Sequence, residues 1–177
     1  MKTLWHFSED KSITEFVPRP TAGKADATPV VWAIDDEHSP LYFFPRDCPR
    51  VAFWATPRTT VADKERFLGL TTAKWVIAIE SGWLERLRYT TLYRYALPDD
   101  DFVPMYDIGM HLARRTVVPR AAEPVGDLVY ALRDAGVELR ITPSLWPLHD
   151  ALLDATLHFS MIRMRNAAPR PEGQIAK

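Results

Sequence analysis

Pro29-Val30-Val31-Trp32-Ala33-Ile34-Asp35-Asp36 is the stretch on which the reading of the fold turns. Five apolar residues, three of them β-branched, run between a proline and two acids. The run is too short for a helix of three turns and has no polar face, so it reads as a buried strand. Val51 to Thr56, just after Pro49, and Trp75 to Glu80 repeat the pattern. Leu4 to Phe7 gives a short first strand, Leu92 to Leu97 alternates apolar and polar residues ahead of Asp99-Asp100-Asp101, Met110 to Val118 reads as a strand ended by Pro119, and Val137 to Ile141 as another.

Helical signals are fewer and gather late. Ser8 or Asp10 can cap a brief turn holding Ile13 and Phe16, which Pro18 ends. Thr60-Val61-Ala62-Asp63 has the spacing of a capping box, with Gly69 as the stop. From Pro124 to Ala135, Val125, Leu128, Val129 and Leu132 form an apolar stripe closed by Gly136. After Ser144, Leu145, Leu148, Leu152, Ala155, Phe159 and Ile162 recur at helical spacing, so a long last helix is expected. Leu153, Leu157, Met161 and Met164 would give it a second apolar side that offers a homodimer surface. Strands first and helices last predict an α+β fold: one domain over residues 1–165, a mainly antiparallel or mixed sheet with helices packed on it, and a long C-terminal helix. Residues 18–29 read as a surface loop and 166–177 as a flexible tail.

Composition narrows the classes. The 177 residues are 47% hydrophobic and 25% charged, with net charge -1, so no bulk field draws the chain to nucleic acid or an anionic membrane. The single cysteine, Cys48, makes no internal disulfide, and charged Glu9-Asp10-Lys11 follows the N-terminus without a signal-peptide core; both fit a cytoplasmic protein. No apolar run reaches membrane-spanning length. Phosphate-loop, Rossmann, paired-cysteine zinc, His-Glu-x-x-His and Gly-x-Ser-x-Gly signatures are absent.

Candidate chemistry centres on two places. In His38-Ser39-Pro40-Leu41-Tyr42-Phe43-Phe44-Pro45-Arg46-Asp47-Cys48-Pro49-Arg50, prolines stiffen a turn that displays Arg46 and Arg50, forks suited to phosphate or carboxylate, beside Trp32 and Tyr42 as stacking surfaces. The ordinary role of such residues is a structural clamp and core packing. His6 shares a strand face with Leu4, opposite Trp5 and Phe7. A satisfied core histidine is the default there, and a cleft-facing one the alternative. Asp150, Asp154 and His158 fall at i, i+4 and i+8 on the expected last helix; a solvated face explains them better than a metal, and no metal site is assigned. Cys48 has no base beside it, and His111 and His149 read as structural.

Leu4-Trp5-His6-Phe7-Ser8-Glu9-Asp10, Pro29 to Asp35, Pro45 to Arg50, Glu138-Leu139-Arg140, Ser144 to Leu148 and Phe159 to Ala167 together resemble a family of uncharacterised bacterial proteins over nearly the whole chain. The N-terminal motifs, an apolar-aromatic-His strand, a short helix and a Val-Trp-Ala strand, also resemble the start of ADP-ribosyltransferase-like domains. That second resemblance implies that His6 holds the ribose of NAD or, as in RNA 2′-phosphotransferases, a phosphate. It implies too that Tyr42 stacks on a ring and that a later acid orients the acceptor. Glu80 and Glu138 stand at strand ends, neither within Glu-x-Glu or Gln-x-Glu; Glu138 is the candidate acid, and an arginine-based variant or no catalysis stays open. Two functions follow. One is an enzyme that binds NAD or a phosphorylated nucleotide through His6, Trp32, Tyr42, Arg46 and Arg50 and needs no resident cofactor. The other is a non-catalytic binding module that self-associates through its last helix.

Overall fold

The apolar runs become strands because each is too hydrophobic to face water and too short to bury itself as a helix. The computed structural model describes residues 3–20, 28–105 and 108–170, so the centre of the expected surface loop and residues 171–177 of the expected tail lie outside it. The strands are β1 (Thr3–Ser8), β2 (Val31–Ile34), β3 (Arg50–Trp54), β4 (Trp75–Glu80), β5 (Tyr93–Pro98), β6 (Val103–Met105), β7 (Met110–Ala113), β8 (Ala121–Pro124), β9 (Val137–Thr142) and β10 (His158–Ile162). The α-helices are α1 (Val61–Asp63), α2 (Leu84–Tyr89), α3 (Leu128–Asp134) and α4 (Trp146–Leu153). The fold is α+β, and the chain falls into two compact units, Met1–Arg46 with Thr91–Gly126 and Asp47–Thr90 with Asp127–Lys177.

Unit 1 is a six-stranded antiparallel sheet in the order β6-β7-β2-β1-β5-β8. The pleat sorts its residues. Leu4 and His6 lie across from Leu97 and Tyr95, and with Val31, Ala33 and Ala113 they share the face covered by Phe16 and Val117. Trp5, Phe7, Trp32, Ile34 and Arg94 point to the other face.

Unit 2 is a four-stranded mixed sheet, β10-β3-β4-β9, whose one parallel pairing joins β4 to β9. Every residue of β3 and β4 is buried, as expected of runs covered on both faces. One face packs Val51, Phe53, Val76 and Ala78 against Phe67, Leu145, Leu152 and Leu157. Thr60 caps the helical segment as its sequence predicts, its Oγ accepting from the Asp63 N–H at 3.2 Å. After α1 the segment widens into a π-helical turn, Lys64–Leu68, and stops at Gly69 with φ 59°. The Asp63 carboxylate reaches forward to the Thr156 N–H (2.7 Å) and hydroxyl (2.6 Å).

Several expectations change, among them the brief helical turn after Ser8 or Asp10, which is not formed. Pairing of β8 with β5 places Pro124 in a strand, and the helix expected from Pro124 starts instead at Leu128, behind an Asp127 cap bonded to the Val129 and Tyr130 N–H groups. The Met110 strand ends at Ala113 instead of running to Val118. The long C-terminal helix is not formed: α4 stops at Leu153, and residues 158–162 become the edge strand beside β3. Leu157, Phe159 and Met161 satisfy a period of two as well as a helical stripe. The open edge of β3 decides between them, because its N–H and C=O groups need partners. Leu157 is thus buried in the core of unit 2 and Met161 and Met164 pack against it, so the expected homodimer face on that helix does not exist; Leu153 alone of the four stays exposed. Asp150, Asp154 and His158 likewise lose their common helical face, and His158 rests on Trp54 with ring centres 5.0 Å apart. No described helix is long and apolar enough to cross a membrane.

Candidate functional site

His6 sits on the inner face of β1. Its Nδ1 lies 2.8 Å from the Trp32 carbonyl oxygen, which can only accept, so in the neutral ring Nδ1 carries the proton and Nε2 keeps its lone pair. The ring rests on Phe16, centroids 4.5 Å apart. Burial lowers the imidazole pKa below its ordinary value; the Trp32 carbonyl opposes the shift, and the charges of Arg46 and Arg19 add to it. His6 is therefore a neutral imidazole in a field of two guanidinium groups. Arg46 is exposed, its backbone N–H held 2.8 Å from Glu9 Oε1, and Arg19 is placed by a backbone bridge to Val30.

The expected stacking residues fall elsewhere in unit 1. Tyr42 closes the short helical turn Ser39–Tyr42, lies parallel to Phe7 at 6.3 Å (12°), and gives its hydroxyl to Met110 Sδ at 3.3 Å. Phe7 and Trp32 share the sheet face opposite His6. Trp32 reaches His6 through its carbonyl only. The expectation of one pocket holding His6, Trp32 and Tyr42 together is corrected on this point: the pleat of β1 and β2 divides them.

Arg50 is not displayed. It opens β3 in unit 2, is 3% exposed, and donates Nη1 to the Cys48 carbonyl at 2.9 Å. Burial pushes the Cys48 thiol up to about 12, which removes it as a nucleophile. Glu138, the candidate acid, lies on β9 with its pKa held down by Thr71 and Arg140, the latter 2.7 Å away. Arg140 in turn donates Nη1 to the Phe67 carbonyl at 2.7 Å, at the end of the π-helical turn, so Glu138 steadies a structural arginine. A shallow groove of about 540 Å³ beside it is lined by Thr71, Lys74, Arg133 and Glu138 among others.

Sequence reasoning missed a third arrangement in unit 1. His38 Nδ1 and the His38 backbone N–H both reach Asp35 Oδ1, at 2.7 and 2.9 Å, an aspartate that fixes the tautomer and angle of the ring. The Gly109 carbonyl accepts from the Asp35 N–H and from His111 Nδ1, each at 2.9 Å. Gly109 has φ 71°, and a Cβ there would overlap His38 Nδ1 and stand 2.5 Å from Asp35 Oδ1. The Asp-x-x-His spacing at the end of a strand was visible in the chain; the glycine that lets the pair close was not. His111 lies across from Ala33, on the face that His6 shares. Among the described residues no group of three or more His, Cys, Asp or Glu could hold a metal ion.

The profile of a family of unknown function, DUF6886, matches residues 5–167, nearly the whole chain. No curated protein and no solved structure matches it. The likeness of the N-terminal motifs to ADP-ribosyltransferase-like domains is not shown by these comparisons. The chain belongs to the DUF6886 family.

Proposed function

We propose that in this DUF6886 protein unit 1 binds a phosphorylated nucleotide, NAD or a related ribose phosphate, through His6, Arg46 and Arg19. The reaction class would be a transferase of the ADP-ribosyltransferase or RNA 2′-phosphotransferase type. One observation carries the reading: a neutral imidazole with its Nδ1 fixed on the Trp32 carbonyl, under the charge of Arg46 and Arg19. A lone pair on Nε2 accepts a ribose hydroxyl, and guanidinium groups are the natural partners of phosphate. Tyr42 and Trp32 face the other way, so the reading concerns the ribose-phosphate part of the ligand and leaves the base or nicotinamide ring to other residues. Arg50 and Glu138 take no part in it.

The test is a thermal-shift panel of NAD, ADP-ribose, inorganic phosphate and an RNA with a 2′-phosphate end. A ligand at a hundred times its Kd adds about 2.7 kcal/mol to the native state, which raises Tm by roughly 5–11 °C in a chain of this size. His6→Gln and Arg46→Ala should each abolish most of that rise. A panel without any shift sinks the proposal, as does a shift that both variants retain.

A further inference from the structure

Residues 167–170 are held in a manner different from the rest of unit 2. Their backbone joins no strand ladder; side chains grip it. The Ala168 N–H donates to Glu80 Oε2 at 2.9 Å, and the Ala168 carbonyl accepts from Trp146 Nε1 at 2.7 Å. Two residues on, Arg170 forks onto Asp150, Nη1 to Oδ2 at 2.5 Å and Nη2 to Oδ1 at 3.0 Å, with its guanidinium carbon 4.2 Å above the centre of the Trp146 ring. His149 Nδ1, 2.8 Å from Asp150 Oδ1, braces the receiving carboxylate.

The receiving surface is built by other elements. Trp146 and Asp150 are one turn apart on α4 and so lie on the same side of it. Glu80 ends β4, and its other oxygen accepts from the Leu145 N–H at 3.3 Å, ahead of α4. The carboxylate is therefore positioned by the helix start independently of Ala168. The segment enters from a left-handed residue, Arg163 with φ 58°, and Asn166 Nδ2 fastens it to the Asp47 carbonyl at 2.8 Å. The parts match those of peptide recognition: polar side chains that read main-chain groups of any sequence, and one acidic, aromatic-walled position that reads an arginine.

We propose that Glu80, Trp146 and Asp150 form a docking cleft for an extended, arginine-bearing peptide segment, filled in cis by residues 167–170 of this chain. The cis occupant sits at high effective concentration and keeps outside peptides off. Weakening its arginine anchor opens the cleft.

Fluorescence anisotropy of a labelled synthetic peptide with the sequence of residues 165–171 tests this on the full chain. Arg170→Ala should bind the peptide at least tenfold more tightly than the unaltered protein. Adding Asp150→Asn should cancel the gain, and a peptide with alanine at its position 170 should not bind to either form. Arg170→Lys, which keeps the charge and loses the fork, should fall between. Equal binding by Arg170→Ala and the unaltered chain, or gained binding that survives Asp150→Asn, overturns the proposal. A melting curve of each variant separates an opened cleft from an unfolded protein. Should Arg170→Ala fail to fold, the Arg170→Lys chain alone decides by showing or lacking the intermediate gain.

Discussion

Replacing Gly109 with alanine tests whether the Asp35–His38 pair depends on the backbone beneath it. Two costs add. An L-residue in the left-handed region loses about 1–2 kcal/mol, and Gly109 has φ 71°. The new Cβ then displaces the Asp35–His38 hydrogen bond, a bond to a charged group worth roughly 1.5–3 kcal/mol. The sum is about 2.5–5 kcal/mol, or a fall in Tm of roughly 5–20 °C. Gly126→Ala is the control within the same unit: φ is 89°, but nothing lies within 4 Å of its Cβ, so only the backbone cost applies. Urea unfolding followed by circular dichroism, with thermal melts beside it, measures both. Equal losses in the two variants would refute the claim that the pair sits against the glycine.

Cys48, with its thiol pushed up to about 12 from 9.0, has roughly a thousandfold less thiolate at pH 8 than a free thiol. Ellman's reagent should label the native chain at least a hundredfold more slowly than the urea-unfolded chain, and fast native labelling would contradict its burial. His6 has a folded pKa below 6.5, so the unfolded chain takes up the proton more readily. The stability this gives is present above pH 6.5 and is lost as pH falls through the lower folded value. His6→Gln should therefore flatten the decline in stability between pH 7 and 5, and an unchanged slope would remove the effect from His6. Glu138→Gln should cost about 0.5–1 kcal/mol, because Arg140 keeps its bond to the Phe67 carbonyl, and should leave any nucleotide-induced shift intact. Loss of that shift would restore Glu138 to the site.

The parts of the fold that local chemistry decides were legible. Val31–Ile34 and Trp75–Glu80 have no alternative to a buried strand, and Thr60 had only one N–H three residues ahead to cap. Residues 157–162 were not legible, because their apolar spacing fits two periods and the deciding factor, the unpaired edge of β3, lies a hundred residues upstream. Of the expected flexible tail only residues 166–170 are described. Its prolines and small residues are locally unstructured in character, yet Asn166, Ala168 and Arg170 find fixed partners in distant elements. For the site, alternation along β1 placed His6 beside Leu4 correctly. The same alternation, carried across to β2, puts Trp32 on the far side, and that required knowing the register. Arg50 was read as displayed because prolines flank it, but its position as the first residue of a strand buried on both faces draws the side chain inward.

The interleaving of the two sheets governs how this chain can be made and cut. Trp5 waits for Ala96 before β1 gains its second neighbour, and Phe53 waits for Phe159 before β3 does. Between β4 and its parallel companion β9 the polypeptide passes through four strands of the other sheet. The six-stranded sheet therefore waits for β8 and the four-stranded sheet for β10, which calls for slow closure of distant pairings and leaves apolar strands uncovered meanwhile. A protease nick or a stop codon anywhere between Thr91 and Gly126 separates strands that belong together, so neither half of the sequence can stand as a miniature of the protein.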